Sequence, residues 1–308
     1  MKRLLVFAFA ALSFFPSCQG QHKATGQKET PKAFVLPEVP APLNTPEARA
    51  NYVCEHYWDH FDFADTAYLH TPEVTEQALV DFMDLMGQVP PSLAERSISI
   101  LYGKAAPHSP MLWHFWETMS RYWNDPHSPM KDETLFLTLC HQIEQHPQLE
   151  ETLKQRAAYT RSLAERNRTG HPATDFTYTL ASGQQGRLYQ LKADYTLVYF
   201  FDPDCYACTE IKSQMKQSAL LNAMQQSGRL HVLTLYPEAD IDLWRQQLQS
   251  LHPQWTNAYD KDGAIQQEQL YDLSSLPSFY LLDHHKHVLL KDAGWFEVAE
   301  YLEGISSK

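Results

Sequence analysis

The chain has 308 residues, 44% of them hydrophobic and 12% aromatic, with 37 acidic against 25 basic side chains and a formal charge of −12 at pH 7. That length accommodates about two domains with real cores. The acidic balance argues against an electrostatic surface for nucleic acid or for an anionic membrane.

The first residues read as a leader. Lys2 and Arg3 form a basic start, and Leu4 to Phe15 is an apolar run of twelve residues. Such a run is too short to span a bilayer and fits the core of a secretory signal. It ends in Phe15-Pro16-Ser17-Cys18, which resembles a lipoprotein cleavage box. The resemblance implies a signal peptide over 1–17 and lipidation of Cys18. Phe15 and Pro16 depart from the usual Leu-Ala choices, and ordinary signal cleavage nearby is the alternative. Gln19, rather than Asp, follows the cysteine, which points to outer-membrane sorting. The expected location is therefore the bacterial cell envelope, lipid-anchored and facing the periplasm, where disulfides are permitted. Residues 18–43 read as anchor and tether. They are polar, with Pro31, Pro37, Pro40 and Pro42, and as a flexible coil would reach about 30 Å on average.

Residues 44–168 are predicted to be all helix. Prolines recur at helix-opening positions: Thr45-Pro46, Thr71-Pro72, Pro90-Pro91, Ser109-Pro110, Ser128-Pro129 and His146-Pro147. Ser or Thr at the N-cap with Pro in the first turn opens a helix, because the missing N–H would have had no partner there. Apolar residues keep helical spacing in the blocks that follow: Phe82, Leu85 and Met86; Leu112, Phe115, Trp116 and Met119; Leu135, Leu139 and Ile143. The blocks match poorly side chain for side chain, so a helical bundle is favoured over a repeat array. Cys54 and Cys140 fall on predicted helices. They pair if the first and fifth helices touch; otherwise they are small buried side chains. His108, His114, His127 and His141 are scattered without metal-ligand spacing. Trp113, Trp116 and Trp123 read as core and interface residues.

The C-terminal part, 169–308, opens its chemistry at residues 197–208. Leu197 to Phe201 is a β-branched and aromatic run, read as a buried strand. Asp202-Pro203-Asp204 breaks it, Cys205-Tyr206-Ala207-Cys208 follows, and a helical pattern then continues to about 227. A cysteine at that turn meets free N–H groups and the positive end of the helix dipole, which favour the thiolate. Thiolate is the nucleophile in disulfide exchange. A structural zinc site would need further ligands, with His284, His285 and His287 the nearest candidates. Two inert buried thiols are the other alternative. The strand–CxxC–helix placement favours a redox pair.

These motifs resemble the thioredoxin superfamily, and within it the membrane-tethered thiol-disulfide oxidoreductases of the TlpA/ResA type. Gly170 to Leu191, with its G-x-x-A-x-D-F core, is similar to that family's lead-in segment. Thr196 to Met215 is similar to its active-site strand, CxxC and first helix. Ser274 to Leu290 is similar to its cis-proline stretch and hairpin. The resemblance covers about 169–308. It implies an α/β thioredoxin-like fold behind the helical bundle, as in Bacteroidetes lipoproteins whose helical part is of unknown function. It implies Cys205 as attacking thiol, Cys208 as resolving thiol, and Leu276-Pro277 as a cis bond shaping the substrate groove beside Cys205. It implies no cofactor beyond the Cys205–Cys208 disulfide, no metal, and protein thiols or disulfides as partners.

One position departs from the pattern: Asp204 stands where an apolar residue is usual, and its carboxylate opposes the neighbouring thiolate. Tyr206-Ala207 between the cysteines is also uncommon. The helix end is expected to outweigh the carboxylates, leaving Cys205 open to solvent and Cys208 shielded, which suits a reductase or isomerase better than an oxidase. The remaining expected elements are a strand at 229–236, a helix at 240–251, a short strand at 255–260, a helix at 263–272, a hairpin of 277–283 with 287–291, and a last helix at 296–304, with helices on both faces of the sheet. The favoured function is an envelope thiol-disulfide oxidoreductase that reduces or isomerises protein disulfides. The runner-up is a non-catalytic thioredoxin-like binding module whose helical part recruits a partner. A peroxidase is disfavoured, since no Pro-x-x-x-Thr-x-x-Cys arrangement is present.

Overall fold

Caps and prolines decide where the helices of the first half begin. The computed structural model describes residues 33–306; the leader 1–17 and Cys18 lie outside the described residues. Helix α1 (Pro46–His56) is opened by Thr45, whose side chain accepts a hydrogen bond from the Ala48 N–H. Helices α2 (Pro72–Gln88) and α3 (Pro91–Ala105) also start on proline. Helix α4 (Ser109–Asn124) starts one residue early, with His108 at the cap and Pro110 second. Two expected openings fail. Helix α5 (Glu133–Gln145) is capped by Asp132, which accepts from the Leu135 N–H at 2.9 Å, while Ser128-Pro129 lies in the preceding turn. Helix α6 (Glu151–Ala164) begins four residues after Pro147. Ser128-Pro129 and His146-Pro147 lie within links rather than at helix starts.

Around these helices one core gathers Trp58, Phe61, Phe63, Phe82 and Phe115, with ring centroids 5.0–6.3 Å apart. Cys54 and Cys140 are free buried thiols, so the bridge between them does not form.

The second half is a seven-stranded sheet in the order β2-β1-β5-β4-β3-β6-β7. Its strands are β1 (Thr177–Leu180), β2 (Gln185–Arg187), β3 (Tyr195–Phe200), β4 (Leu230–Tyr236), β5 (Thr256–Tyr259), β6 (Ser278–Asp283) and β7 (Val288–Ala293). Strands β3, β4 and β5 run parallel, β6 pairs antiparallel with β3, and β7 pairs antiparallel with β6 at the sheet edge. Alternation along β3 splits the core. Leu197 and Tyr199 face one side; Val198 and Phe200 face the other.

On the first side pack α7 (Tyr206–Gln217), α8 (Ala219–Gln226), α9 (Ile241–Gln247) and α11 (Trp295–Ser306), through Met215, Leu221, Trp244, Val298 and Leu302. The expected single helix over 205–227 is two. Ser218 is extended, and its hydroxyl accepts from the Leu221 N–H to cap α8. The other side carries little helix. The expected helix 263–272 is only α10 (Ala264–Gln267). Gln269 adopts a left-handed φ of 51°, and the Leu270 N–H bonds Ile265 O while the Gln269 N–H bonds Gln266 O. That is a Schellman stop, usually signalled by glycine. The second face is therefore covered by α10, the lead-in residues Ala173 and Phe176, Leu188 and Tyr271.

Candidate active site

Sheet register brings the separated motifs together. Phe200, the last residue of β3, stands opposite Ser278, the first of β6. Residues 201–205 and residue 277 therefore emerge at the same edge. The Asp202 carboxylate accepts from the Asp204 N–H at 2.7 Å, and the Cys205 N–H bonds Asp202 O at 3.2 Å. This turn delivers Cys205 to the N-cap of α7, with Asp204 left exposed.

Cys205 and Cys208 form a disulfide, with Cα atoms 5.2 Å apart. The Cys205 Sγ accepts from the Cys208 N–H at 3.0 Å, so a helix-terminal donor points at the sulfur. Cys205 is half-buried, whereas Cys208 is 1% exposed. Tyr206 is 84% exposed and Ala207 is exposed too, so the dipeptide between the cysteines lies on the rim. The Leu276–Pro277 bond is cis, and Leu276 O lies 3.8 Å from Cys205 Sγ. Among the described residues no group of three or more His, Cys, Asp or Glu could hold a metal ion. The His284 and His285 rings lie against each other in the β6–β7 turn, tilted by 43°, and His287 lies beside Asp283.

Three supporting residues escaped the sequence reading. The buried Tyr199 hydroxyl donates to Cys208 O at 2.8 Å, fixing the first turn of α7. Its ring stacks on Phe279 at 4.8 Å, and burial raises its pKa. Lys212, one turn after Cys208 on the same helix face, is 5% exposed and reaches Ser250 Oγ at 2.7 Å. Its i, i+4 spacing from Cys208 was the available signal. Trp295, at the start of α11, packs against Phe279 with centroids 6.0 Å apart. Its neighbour Phe296 is 79% exposed. Opposite the acidic turn, burial and then the Glu238 carboxylate raise the pKa of Tyr236, whose hydroxyl donates to Glu238 at 3.2 Å.

A helix N-terminus aimed at a half-buried sulfur, a shielded second sulfur and a backbone carbonyl alongside can carry out dithiol–disulfide exchange.

Residues 17–167 match a domain of unknown function (DUF5106). A thioredoxin-like protein from Bacteroides caccae is 41% identical, with a TM-score of 0.75, over 89% of this chain and 99% of that one. The C-terminal domain of an uncharacterized protein from Bacteroides fragilis is 44% identical over 44% of this chain and 98% of its own, with a TM-score of 0.44. The thioredoxin domain of a thiol-disulfide oxidoreductase from Bacteroides vulgatus is 19% identical over 44% of this chain and 98% of that domain, with a TM-score of 0.38. No curated protein matches the chain.

Proposed function

The chain belongs to the thioredoxin-like proteins, and from that premise we propose that it is an envelope thiol-disulfide oxidoreductase that reduces or isomerises protein disulfides. The observation that carries this reading is the half-buried Cys205 at the cap of α7, with the Cys208 N–H 3.0 Å from its sulfur and Leu276 O 3.8 Å away.

In the reduced chain the Cys205 thiolate attacks one sulfur of the substrate disulfide. A mixed disulfide forms and one substrate thiolate leaves. The Cys208 thiolate then attacks Cys205 Sγ, releasing the second substrate thiolate and closing the Cys205–Cys208 disulfide. Two electrons pass to the substrate, and the two protons given up by Cys205 and Cys208 balance the two thiols formed. The groove beside Pro277 and Leu276 takes the substrate chain, and exposed Tyr206, next to Cys205, offers it apolar surface.

The test is reduction of insulin by the purified mature chain with a dithiol supply. Activity above background, abolished in Cys205→Ala, supports the oxidoreductase. A pair that is fully reducible yet transfers nothing supports a binding module instead.

Anchoring through a lipid on Cys18 completes the proposal, motivated by the basic start and the twelve-residue apolar run before it. Expressed in a Gram-negative host, the chain should partition with membranes, and Cys18→Ala should release or misprocess it. A mature N-terminus mapped elsewhere would remove this part of the reading.

A further inference from the structure

The segment that delivers the cis-proline has little regular structure of its own. Between α10 and β6, residues 268–277 form neither helix nor strand. Tyr271 anchors its middle from within the sheet part: its ring packs on Phe200 and Tyr280, and its hydroxyl donates to Thr174 O at 2.6 Å.

Its two ends are held from the helical side. Arg166 donates to Glu268 O and Gln269 O, and the Asn167 side chain donates to Leu270 O at 2.8 Å. At the far end, in the link 125–132 between α4 and α5, His127 Nε2 lies 2.8 Å from Ser275 Oγ, two residues before Pro277. Pro126 and His127 share a small cavity with Pro277, Ser278 and Asp292, with room for about one water. The Ser278 hydroxyl, in a residue 4% exposed, has no hydrogen-bond partner among the described residues. Lys131 in the same link donates to Lys291 O at 3.3 Å, tying it to β7 as well.

We propose that the α4–α5 link forms one wall of the groove that receives an extended segment of a disulfide-containing protein, with His127 the positioning residue that holds Ser275 and hence Pro277 in place. The inference rests on the oxidoreductase reading and deepens it: the helical region helps choose protein substrates rather than recruiting a separate partner. A small disulfide needs only the Cys205 sulfur, whereas a polypeptide must also lie along the wall. Loss of the His127–Ser275 contact should therefore act on protein substrates selectively. His127 is exposed, so its replacement leaves the cores untouched.

The experiment compares the mature chain with His127→Ala, Ser275→Ala, the double variant and His127→Gln, using insulin and a small aromatic disulfide as substrates. His127→Ala should raise KM for insulin by about threefold to tenfold, the range of one hydrogen bond, with kcat and the small-disulfide rate unchanged. The double variant should be no worse than either single one, because both remove the same contact. His127→Gln, which can place an amide nitrogen where Nε2 stands, should recover most of the loss. Amide exchange across 270–277 should quicken in His127→Ala. An unchanged insulin KM, an equal loss on both substrates, or unchanged exchange across 270–277 would overturn the proposal while leaving the oxidoreductase intact. A wild-type chain inactive on both substrates would overturn the reading it rests on, and this proposal with it.

Discussion

Replacing Lys212 by methionine should stabilise the oxidised chain. Lys212 is 5% exposed, and among the described residues its ammonium donates to two neutral acceptors, Ser250 Oγ at 2.7 Å and Gln247 Oε1 at 3.3 Å. Burial, and then the Lys216 charge, hold its pKa below the usual lysine value, with no carboxylate to offset them. The two charge-assisted hydrogen bonds contribute roughly 1.5–3 kcal/mol each. Desolvating a buried ion costs several kcal/mol. The two are close, and the repulsion from the Lys216 charge adds to the cost of burial, which sets the balance against the ammonium. Methionine fills a similar volume. Ser250 Oγ keeps Gln247 O at 2.7 Å, so no new polar orphan is created. The expected gain is about 1 kcal/mol, or roughly 2–4 °C in Tm for a unit of this size. The assay is urea unfolding at pH 7 of oxidised wild type and Lys212→Met. A second sign follows from linkage. A lysine depressed in the fold loses stability as pH falls, so wild-type stability should rise as pH approaches the unfolded lysine value of about 10.4, and the variant should lack that rise. A loss of about 1 kcal/mol or more in Lys212→Met would refute the reasoning.

Other expectations concern the thiols, the sheet and the hairpin. Burial pushes the Cys54 thiol up to about 11 and the Cys140 thiol up to about 12, so neither should alkylate in the folded reduced chain at pH 7, while both should react after denaturation; mass spectrometry of the adducts checks this. Burial also raises the pKa of Asp292, which accepts from the Tyr280 hydroxyl. Between the unfolded carboxyl value of about 3.9 and the raised folded one, the folded state keeps a proton the unfolded state has lost. Stability should fall with rising pH across that window, and Asp292→Asn should remove the slope, as read by urea midpoints against pH. At Gly186 an added Cβ would come within 2.5 Å of the buried Tyr178 ring. Gly186→Ala should therefore cost about 1–3 kcal/mol in urea unfolding through overpacking.

The sequence disclosed those parts of the fold whose causes are local. The apolar run at β3, the breaker Asp202-Pro203-Asp204 and the helical spacing after Cys208 placed the cysteine turn, because each acts over a few residues. The meeting of Pro277 with Cys205 is long-range. It depends on the register of Phe200 opposite Ser278 and was legible only through the family resemblance. Local signals also misled where two competed. Ser128-Pro129 resembled a helix opening, but Asp132 three residues later offered the better cap for α5. Gln269 ended α10 in a left-handed conformation that no glycine announced. The Tyr199 hydroxyl on Cys208 O and the His127 contact at Ser275 joined residues 9 and 148 positions apart, beyond what periodicity can reveal.

The central claim, that Cys205 is the nucleophile of a thiol-disulfide oxidoreductase, is tested most directly by trapping. Reduced Cys208→Ser and Cys205→Ser chains are incubated with a disulfide-linked peptide near neutral pH, and the adducts are mapped by mass spectrometry. The account expects a stable mixed disulfide on Cys205 in the Cys208→Ser chain, and little or none on the shielded Cys208 in its counterpart. An adduct that forms as fast on Cys208, or none in either chain, would contradict it.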